Sequence, residues 1–398
     1  ARRYYGWVVA WTAFGVLSIT YGIQFSFGVL LPSIVEDLGV SRTAASLCFS
    51  VYVFVYSALS SVSGSVTDRR GPRIVLVSGA VLLGTGYLLS ALSQQLWQLL
   101  VALGLIAGMG MSASFVPSCG RCRYCSTGRQ NLCDNGAKTF VGGMITDDTH
   151  RHFVNGQPVT LMAKVGTFSE YACVSEQSII KVEKDIPLEC VALVSCGVAT
   201  GWGSATNRAD VQPGDTVVVV GIGGIGINAV QGARMAGAKR IIAIDPVEFK
   251  REKAMEFGAT HTFASMTEAM QSVNELTWGE MADRVIMTPG VLYGDMMEEA
   301  MALVGKGGTC VVTAISPMTE NDVKMNLFQL AMWNKEVKGT IFGSLNPRAD
   351  IPALLGMYRA GQLKLDELIT KRYTLDEINE GYRAMRDGEN IRGVIVND

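Results

Sequence analysis

Apolar residues are concentrated in the first part of the chain, where three long stretches contain no charged residue. These stretches cover residues 4–35, 43–67 and 74–120. A helix that crosses a bilayer needs about 20 mainly apolar residues, so the first two stretches hold one helix each and the third holds two. The polar tripeptide Ser93-Gln94-Gln95 supplies a turn in the third. The pattern predicts four membrane-spanning helices near residues 7–31, 44–66, 74–92 and 96–116.

The distribution of arginine predicts how these helices are oriented. Arg2 and Arg3 precede the first predicted helix, and Arg69, Arg70 and Arg73 lie between the second and third. Both places are expected on the cytoplasmic side, and four crossings return the remainder of the chain to that side. The expectation is a multi-pass protein of the inner (cell) membrane with a cytoplasmic C-terminal part. Buried helices of a large soluble domain are the alternative, and a signal peptide is excluded because the first run is too long.

The average composition describes neither part of the chain. The 398 residues are 18% charged with a formal net charge of −2, and the mean hydropathy is +0.26. A near-neutral charge argues against nucleic-acid binding through a basic surface, and the apolar content excludes a disordered chain. After residue 117 the charge density is that of an ordinary soluble domain. The boundary between the two parts is expected there.

The loop between the second and third predicted helices, residues 64–73, reads G-S-V-T-D-R-R-G-P-R. It resembles the G-x-x-x-D-R-x-G-x-R signature of major facilitator transporters. With Tyr5-Gly6-Trp7 and Ser26-Phe27-Gly28 the segment is most similar to the monocarboxylate-porter branch. An ordinary basic loop is the alternative. The resemblance implies twelve helices in two halves with the substrate site between them, and only four are expected here. A transporter fragment is therefore retained as an alternative function, without alternating access by this chain alone.

Four of the nine cysteines lie close together in a loop-like segment: Cys119, Cys122, Cys125 and Cys133. Four thiolates can close a tetrahedron around Zn²⁺. In a reducing cytoplasm a metal site is favoured over disulfides, which stay open as an alternative together with an iron–sulfur cluster. The spacing predicts a structural zinc site.

A dinucleotide-binding pattern follows further along the chain. Residues 215–220 are a β-branched run that predicts a buried strand. It enters the glycine loop at Gly221, Gly223, Gly224 and Gly226, and a helix is predicted to Met235. A second strand, residues 240–244, ends at Asp245. This is the full NAD fingerprint, in which the helix N-terminus faces the pyrophosphate and the acidic residue binds the ribose. Asp245 would repel a 2′-phosphate, so NAD is preferred over NADP. A glycine-rich turn without a ligand is the alternative.

With these two motifs in this order, the chain from about Ser118 closely resembles the zinc-dependent medium-chain alcohol dehydrogenases. The nearest branch is the one that uses nitroso-dimethylaniline as electron acceptor. Residues 166–171, 196–201 and 391–394 support it. The implied fold is mixed, with four transmembrane α-helices followed by a truncated medium-chain dehydrogenase. Its expected domains are 1–117 (helices), 118–197 (zinc lobe and partial GroES-like β region), 198–343 (α/β Rossmann domain) and 344–398 (return to the catalytic domain).

The resemblance also assigns roles to single residues. The four clustered cysteines match the structural-zinc lobe, and Cys196 matches the last cysteine ligand of the family's catalytic zinc. Thr200 matches a residue near the nicotinamide, and Lys250 matches a lysine near the adenosine ribose. An inert buried thiol is the alternative for Cys196, and a solvated surface lysine is the alternative for Lys250.

Two further ligands of the catalytic zinc have no counterpart in the chain. The patterns Cys-x-x-Asp/Ser-x-His and Gly-His-Glu do not occur, and the three histidines, His150, His152 and His261, match no ligand position. Recruitment of His150 and His152 as ligands stays open as an alternative. The expected function is NAD-dependent oxidation of a small alcohol or reduction of an aldehyde, impaired by this loss. Whether the chain is an active enzyme is left open. The alternative is a catalytically dead, membrane-tethered fusion that binds NAD and zinc. The resemblance also implies a homodimer through the Rossmann domain, and the oligomeric state is left open.

Overall fold

The computed structural model describes residues 110–139, 141–145, 148–150, 152–168, 172 and 174–396. The predicted helices 7–31, 44–66 and 74–92 lie outside these residues. The chain divides into two compact units, Ala1–Met109 and Gly110–Asp398. Within the described residues no single helix is long and apolar enough to cross a membrane. The bent pair Leu188–Val194 and Gly197–Arg208 meets that test only when taken together.

The second unit begins with a strand, which corrects the predicted fourth helix. Strand β1, Gly110–Ala113, pairs antiparallel with β4, Ile179–Val182. Val116 then enters the hydrophobic core of this unit. The expectation of a helix through residue 116, with a boundary at 117, is therefore wrong for the stretch that starts at Gly110. Small and apolar residues suit either structure, and the pairing with β4 decides between them.

The zinc lobe and a hairpin lie between β1 and β4. Helix α1 is the single turn Arg123–Ser126. Strands β2, His152–Val154, and β3, Gln157–Val159, form an exposed antiparallel hairpin. Helix α2, Leu188–Val194, and helix α3, Gly197–Gly203, follow β4, and a π-helical turn, Ser204–Arg208, completes α3.

A six-stranded parallel sheet forms the centre of the unit. Its strands alternate with helices in the order β5 Thr216–Val220, α4 Gly226–Met235, β6 Arg240–Ile244, α5 Glu248–Phe257, β7 His261–Phe263, α6 Met266–Leu276, β8 Ala282–Met287, α7 Met296–Leu303, β9 Val304–Val312, α8 Leu327–Met332 and β10 Glu336–Gly339. The spatial order is β10-β9-β8-β5-β6-β7. This is the doubly wound arrangement of a dinucleotide-binding domain. The two strands and the helix predicted around the glycine loop are confirmed.

Both faces of the sheet are buried, which explains the uninterrupted valines of β5. Val217 and Val219 face one core together with Ile227 of α4. Val218 and Val220 face a second core together with Ile242 of the neighbouring strand β6 and Val273 of α6. Because successive side chains of a strand point to opposite faces, a strand covered by helices on both sides needs apolar residues at every position.

The chain then returns to the region of β1 and β4. Helix α9 spans Pro347–Arg359, β11 spans Ile369–Tyr373, α10 spans Ile378–Arg386 and β12 spans Arg392–Ile395. Strands β11 and β12 form a two-stranded parallel sheet. Ile351, Leu354 and Leu355 of α9 are buried in the same core as Val191 and Val194 of α2. This packing joins α2 and α9 in one hydrophobic core.

Candidate functional site

The four clustered cysteines converge on one point. The Sγ atoms of Cys119, Cys122, Cys125 and Cys133 all lie within 4.8 Å of one another, and those of Cys119 and Cys125 are 4.0 Å apart. A zinc ion held at about 2.3 Å by four thiolates has sulfur–sulfur edges of about 3.8 Å. None of the four is in a disulfide. The donor set therefore fits a tetrahedral zinc ion.

Backbone N–H groups aimed at the sulfur atoms favour thiolates. The amide of Cys119 donates to Sγ of Cys133, and the amide of Cys122 donates to Sγ of Cys119, each at 3.3 Å. Amides of Asp134 and Cys125 lower the pKa of Cys122 to about 6. Burial, followed by the neighbouring thiols, raises the pKa of Cys125 to about 12. Four ionised thiolates this close require a cation among them, which is the role that zinc would fill.

Hydrogen bonds attach this lobe to the segment that precedes α9. The amide of Gln130 donates to Oδ1 of Asn346 at 2.9 Å, and Nδ2 of Asn131 donates to the carbonyl of Ile341 at 3.2 Å. Nε of Arg348 donates to Oγ of Ser118 at 3.3 Å. The lobe is thus held to the stretch from Ile341 to the first turn of α9.

The glycine loop joins β5 to α4 at the carboxyl edge of the sheet. Gly221 has φ +88°, and a Cβ on it would lie 2.6 Å from Pro289. A Cβ on Gly226 would lie 1.9 Å from the carbonyl oxygen of Gly221. These two glycines are required by the tight turn itself. Beside Gly223 there is open space, so the backbone there is accessible to a ligand, as pyrophosphate binding requires.

Asp245 is anchored where the ribose of a dinucleotide is expected. Asp245 as a whole is 5% exposed. Oδ2 accepts from the amide of Ile222 at 2.7 Å, and Oδ1 accepts from the amide of Val247 at 2.9 Å. Each oxygen keeps a lone pair for a ribose hydroxyl. Lys250 is half-buried, and its Nζ lies against Gly388, in the turn between α10 and β12.

Arg392 closes the other side of the glycine loop. A Cβ on Gly224 would lie 2.0 Å from its Nε, and a Cβ on Gly197 would lie 1.5 Å from its Nη2. That Nε is buried and has no hydrogen-bond partner among the described residues. A buried guanidinium nitrogen without an acceptor is costly unless an anion meets it. Together with the open space at Gly223, it fits the pyrophosphate of a dinucleotide.

Cys196 and Thr200 lie on the same side of the cleft as Arg392. Burial raises the pKa of the Cys196 thiol, while the charge of Arg392 and a hydrogen bond from Thr200 oppose that rise. Thr200 is buried, and its carbonyl accepts from Oγ of Ser204 at 2.6 Å. The structure therefore brings together the two residues assigned to the catalytic site and places both beside the glycine loop.

The donor set around Cys196 does not fit a catalytic zinc. In the part of the chain that the structure describes, the four-cysteine cluster is the one group of three or more potential metal ligands. Nδ1 of His150 lies 3.3 Å from the carbonyl of Val159 at the hairpin, and His152 is exposed on β2. Nδ1 of His261 lies 2.9 Å from Oγ1 of Thr260 on the far edge of the sheet. A catalytic zinc needs about three protein ligands.

Two features of the site were missed in the sequence. In the sequence, Arg392 stands only within residues 391–394, which support the family resemblance. No neighbouring residue indicates that it contacts Gly224. Thr288, whose Oγ1 donates to the carbonyl of Gly221 at 2.8 Å, follows β8 directly. Because ligands of doubly wound sheets bind at the carboxyl ends of the strands where the order reverses, the position after β8 was a usable signal. Gly290, with open space beside it, lies in the same turn.

Comparisons with known proteins agree with this geometry. A family model described as zinc-binding dehydrogenase matches residues 224–359, and one described as alcohol dehydrogenase GroES-like domain matches residues 105–184. A Major Facilitator Superfamily model matches residues 12–121. The matches from the two kinds of protein overlap at 105–121.

Relatives in sequence and structure point to one class. The NDMA-dependent alcohol dehydrogenase of Amycolatopsis methanolica is 54% identical over 283 residues, which are 71% of this chain and 76% of that protein. Alcohol dehydrogenase B of Mycobacterium tuberculosis is 47% identical over 282 residues, 71% of this chain and 75% of that one. Benzyl alcohol dehydrogenase from Acinetobacter calcoaceticus superimposes with a TM-score of 0.67 at 27% identity, over 73% of this chain and 78% of that one.

The doubly wound sheet, its glycine loop and the four-thiol lobe define a zinc-containing, dinucleotide-dependent oxidoreductase. The chain belongs to the zinc-dependent medium-chain alcohol dehydrogenases. About a quarter of the length of its relatives lies outside the matched residues.

Proposed function

We propose that residues 110–398 bind NAD and one structural zinc ion, and that alcohol–aldehyde hydride transfer by this chain is impaired. The observation that carries the dinucleotide site is the buried Nε of Arg392, which faces Gly224 without an acceptor among the described residues. Asp245 supports NAD over NADP, since a carboxylate with both oxygens anchored would repel a 2′-phosphate. The substrate class, a small alcohol or aldehyde, follows from the family.

NAD would supply the C4 atom that accepts hydride from an alcohol carbon. The residues of this chain would orient it, with Gly223 leaving room for the pyrophosphate, Arg392 neutralising its charge and Thr200 lying beside Cys196. A family catalyst also needs a polarised alcohol oxygen, and Cys196 alone cannot hold the metal that would polarise it. We therefore assign no proton or hydride step to the described residues.

Replacing Arg392 tests the dinucleotide site without any need for turnover. We expect Arg392→Met to weaken NADH binding by about tenfold or more, because a hydrogen bond to a charged group contributes about 1.5–3 kcal/mol. Arg392→Lys should recover part of the loss. The measurement is a fluorescence titration of the full chain with NADH. Arg348→Met, which removes a guanidinium bonded to Ser118 at the zinc lobe, is the matched control. An unchanged affinity in Arg392→Met would refute the assignment.

A homodimer through the Rossmann sheet is supported by an exposed apolar edge. Strand β10 is the last strand of the sheet, and the three residues Glu336, Val337 and Gly339 are exposed. Helix α8 beside it buries none of its residues, and Leu327 and Phe328 are each 70% exposed. An exposed apolar patch next to an open strand edge is typical of a protein–protein interface.

The charges on β10 favour a second copy of this chain as the occupant. Antiparallel pairing about a two-fold axis at Val337 places Glu336 opposite Lys338 of the partner subunit, and the reverse. Within one chain the same two side chains form an ion pair of 2.6 Å on one face of the strand. The edge is thus self-complementary in both charge and apolar character, as a two-fold interface requires.

A charge swap tests this pairing. Lys338→Glu should weaken the dimer by about tenfold or more, because like charges then face each other twice across the axis. The double variant Glu336→Lys with Lys338→Glu should restore it. Sedimentation equilibrium of the full chain measures the dissociation constant. Lys239→Glu, an exposed change at the start of β6, is the control. Equal dissociation constants for all four proteins would exclude this edge as the interface.

The location of the chain is also part of the proposal. The match of residues 12–121 to the Major Facilitator Superfamily and the uncharged stretches support placement in the cell membrane. The unpaired thiols of the four-cysteine cluster support the cytoplasmic side for residues 110–398, because disulfides are rare in that reducing compartment. Alkaline extraction of cell membranes tests this, because a membrane-spanning chain stays in the pellet. The segment has far fewer predicted helices than the twelve of the family, which supports anchoring rather than solute transport.

A further inference from the structure

Arg251 lies beside the residue that selects the cofactor, although no sequence motif marks it. It is half-buried in the first turn of α5. Its Nη1 donates to the backbone carbonyls of Asp245 and Pro246, each at 2.8 Å. One guanidinium nitrogen therefore holds the backbone at the end of β6, where the ribose of a bound dinucleotide is expected.

The carboxylate of Asp245 accepts from a group of hydrogen-bond donors that would also suit another anion. The amides of Ile222 and Val247 both point at it, at 2.7 and 2.9 Å, from the glycine loop and from the turn before α5. Two converging backbone N–H groups next to a guanidinium are the elements from which proteins build phosphate sites. In this chain an internal carboxylate takes that place.

We propose that Arg251 is a specificity-determining residue of the ribose end: with Asp245 in place it positions the carboxylate that favours NAD, and without that carboxylate it binds the 2′-phosphate of NADP. The proposal rests on the dinucleotide site proposed above. Nη1 holds the carbonyls of residues 245 and 246, and the guanidinium keeps donors that bond to no other atom of the described residues. Removing the carboxylate frees the amides of Ile222 and Val247 at the same time. The two amides and the remaining guanidinium donors are then available to a 2′-phosphate.

The alternative is that Arg251 only caps the end of β6. A capping role would make its removal equally costly for NADH and NADPH, whichever residue stands at 245. A role in phosphate binding makes the cost depend on both the cofactor and residue 245. This difference is the readout that separates the two, and it requires no catalytic activity.

The experiment titrates the full chain with NADH and with NADPH in four forms: unchanged, Asp245→Ser, Arg251→Ala and the double variant. Asp245→Ser should raise NADPH affinity by about tenfold or more and lower NADH affinity. Adding Arg251→Ala should remove about tenfold of the NADPH affinity, with little further change for NADH. In the presence of Asp245, Arg251→Ala should cost NADH a few-fold, about the effect of a loosened neutral hydrogen bond.

Two controls keep the outcomes distinct. Lys253→Ala removes a cation of the same helix that pairs with Glu256 at 2.8 Å, and it should leave both affinities unchanged. Asp245→Ala, which also removes the carboxylate, carries the same comparison if Asp245→Ser does not fold. Equal NADPH affinities in Asp245→Ser and the double variant would overturn the role of Arg251 alone. Failure of the unchanged chain to bind NADH would overturn the dinucleotide site itself.

Discussion

Purified from zinc-containing medium, the chain is expected to hold one zinc ion, and Cys125→Ser is expected to hold none. The four thiols lie within 4.8 Å of one another and form a complete tetrahedral set. Loss of one leaves three donors and an open coordination position, which weakens a structural site severely. The lobe should then loosen its hydrogen bonds to Asn346 and Ile341. The thermal midpoint should fall by several degrees, about the effect of 1–2 kcal/mol in a domain of this size.

Cys196→Ser is the matched control for this measurement. It also removes one thiol, but among the described residues Cys196 belongs to no group of three or more potential metal ligands. The zinc content, measured by plasma mass spectrometry after passage over a chelating resin, should remain one ion per chain. Two zinc ions in the unchanged chain, falling to one in Cys196→Ser, would show that a catalytic site exists after all.

Alcohol oxidation by the full chain is expected to be slower by about a thousandfold or more than by a complete relative. Metal polarisation of the alcohol contributes several kcal/mol to the transition state, and about 4 kcal/mol corresponds to that factor. The test follows NADH formation from primary alcohols, and in parallel the bleaching of nitroso-dimethylaniline. The A. methanolica dehydrogenase, 54% identical over the shared residues, serves as the positive control.

Two further measurements make a result of no turnover informative. The same preparation should bind NADH, since Gly223, Arg392 and Asp245 are all in place. Any residual rate should be the same in Cys196→Ser, because a thiol without further ligands contributes no metal. Turnover close to that of the relative would contradict the proposal of impaired chemistry, and it would direct attention to ligands outside the described residues.

Local signals explain why part of the site could be predicted from the sequence. The β5–α4–β6 unit is recognisable in the sequence from consecutive β-branched residues, a glycine loop and an acidic residue at the end of the second strand. Each of these signals depends only on residues that are close together in sequence. Likewise, the spacing of Cys119, Cys122, Cys125 and Cys133 restricts them to one short loop, so their convergence needs little help from the rest of the fold.

Long-range contacts explain what was missed. Arg392 meets Gly224 and Gly197 through β12, a strand far from both in sequence. Arg251 reaches the carbonyls of Asp245 and Pro246 only because α5 turns back along the end of β6. The residues that flank each of these arginines in sequence do not differ from those that flank an exposed arginine. No sequence pattern therefore identifies either residue before the elements are packed.

By itself, then, the sequence determined the family, the first strand–helix–strand unit of the Rossmann domain, the four-cysteine cluster and the absence of two catalytic-zinc ligand motifs. Only the tertiary structure decided where the dehydrogenase unit begins. Gly110–Ala113 are small or apolar residues that fit the end of a helix as well as a strand, and their hydrogen bonds to Ile179–Val182 settle the matter. The structure also decided which charged groups surround the nucleotide cleft. Backbone pairing and the burial of a charge both depend on residues distant in sequence, and composition and periodicity carry no record of them.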